Sequence, residues 1–132
     1  MLANRAWLLA ASLSGLAALS CGDSAEDSGF SCDRDPPLTY ENFGRGFLGL
    51  HCAGCHSALN PDGHRKGAPL GVDLDTYEGL KQWAYRTEAR SLGDNPGMPP
   101  GGGPGPQDLA RLEEWLQCSV FPEIEAQQEE TR

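Results

Sequence analysis

Cys52-Ala53-Gly54-Cys55-His56 is the stretch on which the reading of this chain turns. It sets two thiols three residues apart with an imidazole directly after them, in a chain of 132 residues that has five cysteines and three histidines. The composition around it is hostile to β-structure. Val72, Val120 and Ile124 are the only β-branched aliphatic residues, against 17 glycines and 10 prolines. Strands need β-branched and aromatic side chains to cover a pleated surface, so neither a β-sandwich nor a doubly wound parallel sheet is within reach. What remains is a small all-α domain of about three short helices and long loops. So small a core buries little apolar area, and a disulfide, a metal or a cofactor is expected to complete it.

Three helices can be placed outward from the pentapeptide. Upstream, Leu38 to about Leu50 carries Phe43, Phe47 and Leu50 at helical spacing, weakened by Gly44, Gly46 and Gly49. Downstream, Asp75-Thr76-Tyr77-Glu78 has the spacing of a capping box with Asp75 as N-cap, and Tyr77, Leu80 and Ala84 then recur on one face. Trp83 and Tyr85 join Tyr77 as the packing side of that helix. The last begins at Pro106, which suits a first turn, and runs to about Cys118 with Leu109, Leu112, Leu116 and Trp115 as its buried stripe.

The pentapeptide matches the attachment sequence of c-type haem. Thiols at this spacing can add to the two vinyl groups of a porphyrin, and the next imidazole then lies under the iron. Two other chemistries use CxxC pairs. Thiol redox sites open a helix after a strand in a βαβ setting, but here the motif follows a Phe-rich helix in a chain short of strand formers. A zinc site wants a second ligand pair, and none stands at ordered spacing. One covalent haem c with its iron is therefore the expected cofactor, bound through Cys52 and Cys55 and ligated by His56. The sixth ligand is argued separately. Met98 is the only methionine beyond the N-terminal segment, and it sits in a Gly/Pro-rich loop where a flexible core residue has no helix to serve. That favours Met98 as ligand, with His64 or an open, water-filled position as the alternatives. His51 lies on the same side as His56, and Arg65 and Lys66 would stand beside haem propionates if His64 bound iron.

The two ends read differently from the middle. Met1 to Arg5 carry one positive charge, Ala6 to Leu19 are small and apolar, and Ala18-Leu19-Ser20-Cys21 resembles the lipobox of bacterial lipoproteins. That resemblance implies a signal peptide over 1–20, lipid on Cys21 and a place at the cell envelope facing periplasm or cell surface, Gly22 slightly favouring the outer membrane. The alternative is an ordinary secretory signal with Cys21 a plain thiol. Residues 21–37 read as a flexible tether, 38–118 as the haem domain and 119–132 as an acidic tail. Nine acidic residues lie in those flanks, leaving ten acids against seven bases in the domain, with no basic face for nucleic acid. Cys32 and Cys118 remain, and an oxidising compartment favours a disulfide between them over free or intermolecular thiols.

Over residues 38–118 the chain resembles the small monohaem cytochromes c. Besides CxxCH, Gly67-Ala68-Pro69-Leu70 resembles the family's Gly-Pro-x-Leu segment with one inserted Ala, and Met98-Pro99-Pro100 its distal methionine stretch. The resemblance implies a cytochrome c-like fold and a Pro69 carbonyl that accepts from His56 Nδ1. It also implies Met98 on the iron, and Trp115 packed on Phe43 or Phe47. In function it implies a monomeric one-electron carrier rather than an enzyme, passing electrons between redox proteins at the envelope. A haem-based sensor or small-ligand binder with a labile sixth ligand is the alternative, and weak peroxidase-like activity using His64 stands behind it.

Overall fold

The computed structural model describes residues 31–132. The expected signal peptide over 1–20, the lipidation site Cys21 and the tether as far as residue 30 lie outside the described residues. Within them the chain is all helical and no strand occurs, as the scarcity of Val and Ile requires.

Thr39 and Asn42 open the first helix by capping each other: the Asn42 N–H donates to the Thr39 hydroxyl at 3.2 Å, and the Thr39 N–H to the Asn42 side chain at 2.7 Å. A π-helical turn, Tyr40–Gly44, runs directly into α1, Arg45–His51. Helix α2 is Tyr77–Ser91. Helix α3, Pro106–Trp115, starts on a proline as expected and continues through a π-helical turn, Leu116–Val120, into α4, Phe121–Glu130. The long loop between α1 and α2 holds one 3₁₀ turn, Asp62–His64.

Trp115 is the centre of the core. It is fully buried, meets Phe43 edge-on with ring centroids 5.7 Å apart, and stacks near Tyr77 at 6.2 Å. Gly44 lets the first helix approach that closely, because a Cβ there would lie 2.2 Å from the Trp115 ring. Leu80 and Ala84 of α2 bury their face against this cluster together with Leu112 and Leu116, each buried leucine worth roughly 1.5–3 kcal/mol.

Three expectations are corrected. Leu50, in the last turn of α1, is exposed, and Leu48 is the residue that packs inward. Thr76, not Asp75, caps α2, its hydroxyl accepting from Gly79 N–H at 3.0 Å. The Asp75 carboxylate is used elsewhere, accepting from the Ser57 hydroxyl at 2.7 Å and the Ala58 N–H at 3.2 Å, and so ties the residues after the pentapeptide to the start of α2. The domain does not end at Cys118. Val120, Phe121 and Ile124 prolong the apolar stripe, Phe121 stacks on Tyr85 at 4.5 Å, and Tyr77 and Lys81 both donate to Glu123. Pro122 breaks nothing there, since it falls in the first turn of α4.

The tether, too, stops being one before residue 37. The expected Cys32–Cys118 disulfide is present, with Cα atoms 5.5 Å apart. Arg34 forks onto the Glu114 carboxylate, Nη2 to Oε2 at 2.7 Å, and the Ser119 hydroxyl donates to the carbonyl of the buried Leu38 at 2.8 Å. Residues 32–38 therefore lie strapped along the junction of α3 and the following turn.

Candidate functional site

The pentapeptide is wound as a tight turn off the end of α1. The Cys52 N–H closes the helix on Leu48 O at 2.9 Å, His56 N–H returns to Cys52 O at 2.9 Å, and the Asn60 amide donates to the carbonyls of Ala53 and Gly54 at 3.0 and 3.1 Å. This places Cys52, Cys55 and His56 in the lining of a cleft of about 390 Å³. Both cysteines are free thiols. Burial pushes the Cys52 thiol up to about 11, so it is protonated at neutral pH. A redox-active CxxC needs the opposite, a thiol whose thiolate is stabilised.

His56 is oriented from behind. A backbone carbonyl can only accept, so Nδ1 carries the proton and donates to Val72 O at 2.9 Å, leaving the Nε2 lone pair free. Leu74 N–H returns to His56 O at 2.7 Å. The acceptor is thus Val72 and not Pro69. Left-handed glycines at 67 and 71 turn the intervening segment, which brings the Val72 carbonyl to the ring, while the Pro69 carbonyl accepts from Arg65 Nη2 at 2.8 Å. Leu70, the last residue of the Gly-Pro-x-Leu-like segment, is exposed.

The loop Met98-Pro99-Pro100 lines the same cleft. Its entry is hung on the end of α2 by Gly97 N–H and Met98 N–H, which both donate to Arg90 O at 2.9 and 3.0 Å. Met98 keeps 37% of its surface exposed. Of the sequence-proposed side chains, Cys52, Cys55, His56 and Met98 all line the cleft, and His51 borders it beside Cys52. His64 is exposed at the end of the 3₁₀ turn and does not line it.

Two lining residues went unrecognised in the sequence. Arg86 and Arg90 stand one turn apart on α2, following Trp83 at helical spacing, a pattern legible only once that face is known to border a cavity. With Lys66 they give the cleft three cations without a carboxylate partner, since the ion pairs among the described residues are Arg34–Glu114, Arg65–Asp73, Lys81–Glu78 and Lys81–Glu123. No Asp or Glu lines it. Trp83 is engaged on its polar edge, its indole N–H donating to Gly71 O at 2.9 Å. Arg65 is also committed, to loop carbonyls and Asp73. Among the described residues no three His, Cys, Asp or Glu side chains are gathered closely enough to hold a metal ion by themselves.

No protein-family model matches this chain, and no curated protein or solved structure does so either.

Proposed function

We propose that the protein is a one-electron carrier, a small c-type cytochrome with a cytochrome c-like fold. It holds one covalent haem c through Cys52 and Cys55, with His56 and Met98 as axial ligands of the iron. One observation carries this: the CxxCH residues and a methionine remote from them in sequence line the same cleft. Two further features support it. His56 offers Nε2 in a fixed tautomer. The unpaired Lys66, Arg86 and Arg90 suit the two carboxylates of a porphyrin in a cleft that excludes Asp and Glu.

When bound, the haem supplies reversible one-electron chemistry between Fe(II) and Fe(III). The chain's own residues hold the geometry still. Val72 O fixes the plane of His56, and Arg90 O fixes the start of the Met98 loop, so neither ligand needs to move when the charge changes. With Met98 as a ligand beside His56, the thioether would favour the reduced state and raise the potential. No acid or base is called on, which fits a carrier rather than an enzyme. Anchored by lipid at Cys21, the monomer would exchange electrons with redox proteins at the cell envelope. With the strap and α4 included, residues 31–132 carry 16 acidic against 9 basic side chains, which suits basic partners, with encounter rates that fall as salt rises.

A second reading, a haem-based small-ligand sensor, draws on the partial exposure of Met98, whose loop hangs on α2 by two backbone bonds. Visible spectra of protein matured with haem-attachment machinery decide between the two. A covalent low-spin haem with a weak thioether-to-Fe(III) band, unchanged under carbon monoxide, is the result expected of the carrier. A high-spin or carbon-monoxide-sensitive spectrum turns the assignment to the sensor, and the absence of covalent haem removes both.

A further inference from the structure

Arg65 is the most deeply buried charged side chain among the described residues, at 3% exposure, in a chain whose other cleft cations are exposed. Its guanidinium faces both halves of the loop that carries His56. On one side Nη1 donates to Ser57 O, directly after the histidine. On the other, Nε donates to Ala68 O at 3.3 Å, and Nη2 donates to Pro69 O at 2.8 Å and Val72 O at 3.1 Å. Val72 O is the same oxygen that accepts from His56 Nδ1 at 2.9 Å. Asp73 Oδ1 stands 2.8 Å from Nη2, buried and with no hydrogen bond of its own, so it competes for that nitrogen and offsets the guanidinium charge.

We propose that Arg65 is the positioning residue for His56 and, through the shared Val72 carbonyl, a determinant of the redox potential. This rests on the cytochrome reading above. A carbonyl that already accepts from a cation is a weaker acceptor for a second donor. The Nδ1 proton is then held less strongly by Val72 and the ring keeps less anionic character; since a donating ring stabilises Fe(III) more than Fe(II), the oxidised state would lose more by this than the reduced one. Arg65 thereby favours the reduced protein. Lysine cannot replace it, since a single ammonium has three donors on one atom and no planar fork to span Ser57 and residues 68–72.

Two variants of the full-length holoprotein test this with opposite signs. Arg65→Lys keeps the charge but gives up the fork, so the Val72–His56 bond strengthens. The Nδ1 proton resonance of the reduced protein should move downfield, and the equilibrium constant for reduction should fall by up to about tenfold, the net worth of roughly one hydrogen bond. For one electron that is about 59 mV. Asp73→Asn leaves every carbonyl contact in place and releases Nη2 toward Val72, so the resonance should move upfield and the potential rise. This second variant decides the matter if Arg65→Lys does not accumulate. A potential and a resonance unmoved in either variant, or moved the same way in both, overturn the proposal. If wild type loads haem and the two variants show that insensitivity, this inference alone fails. A wild type without covalent haem sinks it together with the cytochrome assignment.

Discussion

Alanine at Gly44 and at Gly46 should have opposite effects, although the two glycines stand two residues apart in the same helical stretch. At Gly46 an added methyl meets nothing within 4 Å, so Gly46→Ala contributes only helix propensity, a gain of about 0.5–1 kcal/mol. At Gly44 the new Cβ would lie 2.2, 2.3 and 2.9 Å from three carbons of the Trp115 ring. Ordinary contact begins at 3.4 Å, so the ring or the helix must retreat by more than a bond's thermal play. Trp115 has nowhere to go, with Phe43 against its edge, Tyr77 against its face and no exposed surface. Overpacking of this kind costs up to about 3 kcal/mol, and the same propensity gain offsets about 1 of it. Gly44→Ala should therefore lose about 2 kcal/mol, a gap of about 3 between the two variants. For a domain of this size that separates their melting temperatures by roughly 12 °C or more. Thermal unfolding of both variants and wild type, prepared alike, reads the difference. If Gly44→Ala melts with wild type or above Gly46→Ala, the close approach of the first helix to Trp115 is not what holds this core together.

Replacing Cys32 and Cys118 by alanine removes a cross-link spanning 86 residues and should lower stability by up to about 4.6 kcal/mol on the chain-entropy account, measured by urea unfolding; a loss below 1 kcal/mol would mean that Arg34–Glu114 and buried Leu38 secure the strap without it. In haem-free protein the Cys52 thiol should alkylate slowly at pH 8 and reach half its limiting rate near pH 11, because burial disfavours the thiolate; half-titration near the ordinary thiol value would show the site to be wetter than its packing. Tyr77→Phe removes the bond to Glu123 and should cost about 1 kcal/mol. Hydrogen bonds from Tyr77 and Lys81 hold the Glu123 carboxyl below its usual range, so its share of stability is present above the ordinary carboxyl value and is lost as pH falls through the lowered one. Burial and Glu123 raise Tyr77, so its share is present below about pH 10 and is lost only as pH rises through the raised value. Stability-versus-pH curves for Tyr77→Phe should be flatter than wild type at both ends, and parallel curves would refute the coupling.

Much of the site was legible because its information is local. The thiol pair and imidazole of 52–56 need only one turn of chain to come together, and Asn60 and Leu48 complete that turn from nearby. Met98 stood out for want of any structural duty in a Gly/Pro loop, and the structure carries it to the cleft by hanging Gly97 and Met98 on Arg90 O. The identity of the carbonyl behind His56 was not legible. Pro69 and Val72 differ by three residues, and which of them reaches the ring depends on how two left-handed glycines turn the loop and on where buried Arg65 ties it. Arg65 itself looks like any surface arginine until the loop closes over it.

The amino-acid order by itself determined that this domain is helical, since three β-branched aliphatic residues cannot furnish a sheet. It also set Cys52, Cys55 and His56 next to one another within a single turn of chain, and favoured Cys32 and Cys118 as the pair to bond. Only the tertiary structure decided where the domain ends. Charges after Cys118 disguise the stripe of Val120, Phe121 and Ile124, and a stripe that short becomes core only when Tyr85 and the α2 face are there to cover it. The same holds for the cations of the cleft. Lys66, Arg86 and Arg90 come from a loop and from α2, and nothing but packing sets them around one cavity and keeps every carboxylate out of it. Covalent neighbours and periodic patterns are written along the chain, whereas convergence of distant side chains depends on how loops close and helices cross, which no single stretch of sequence encodes.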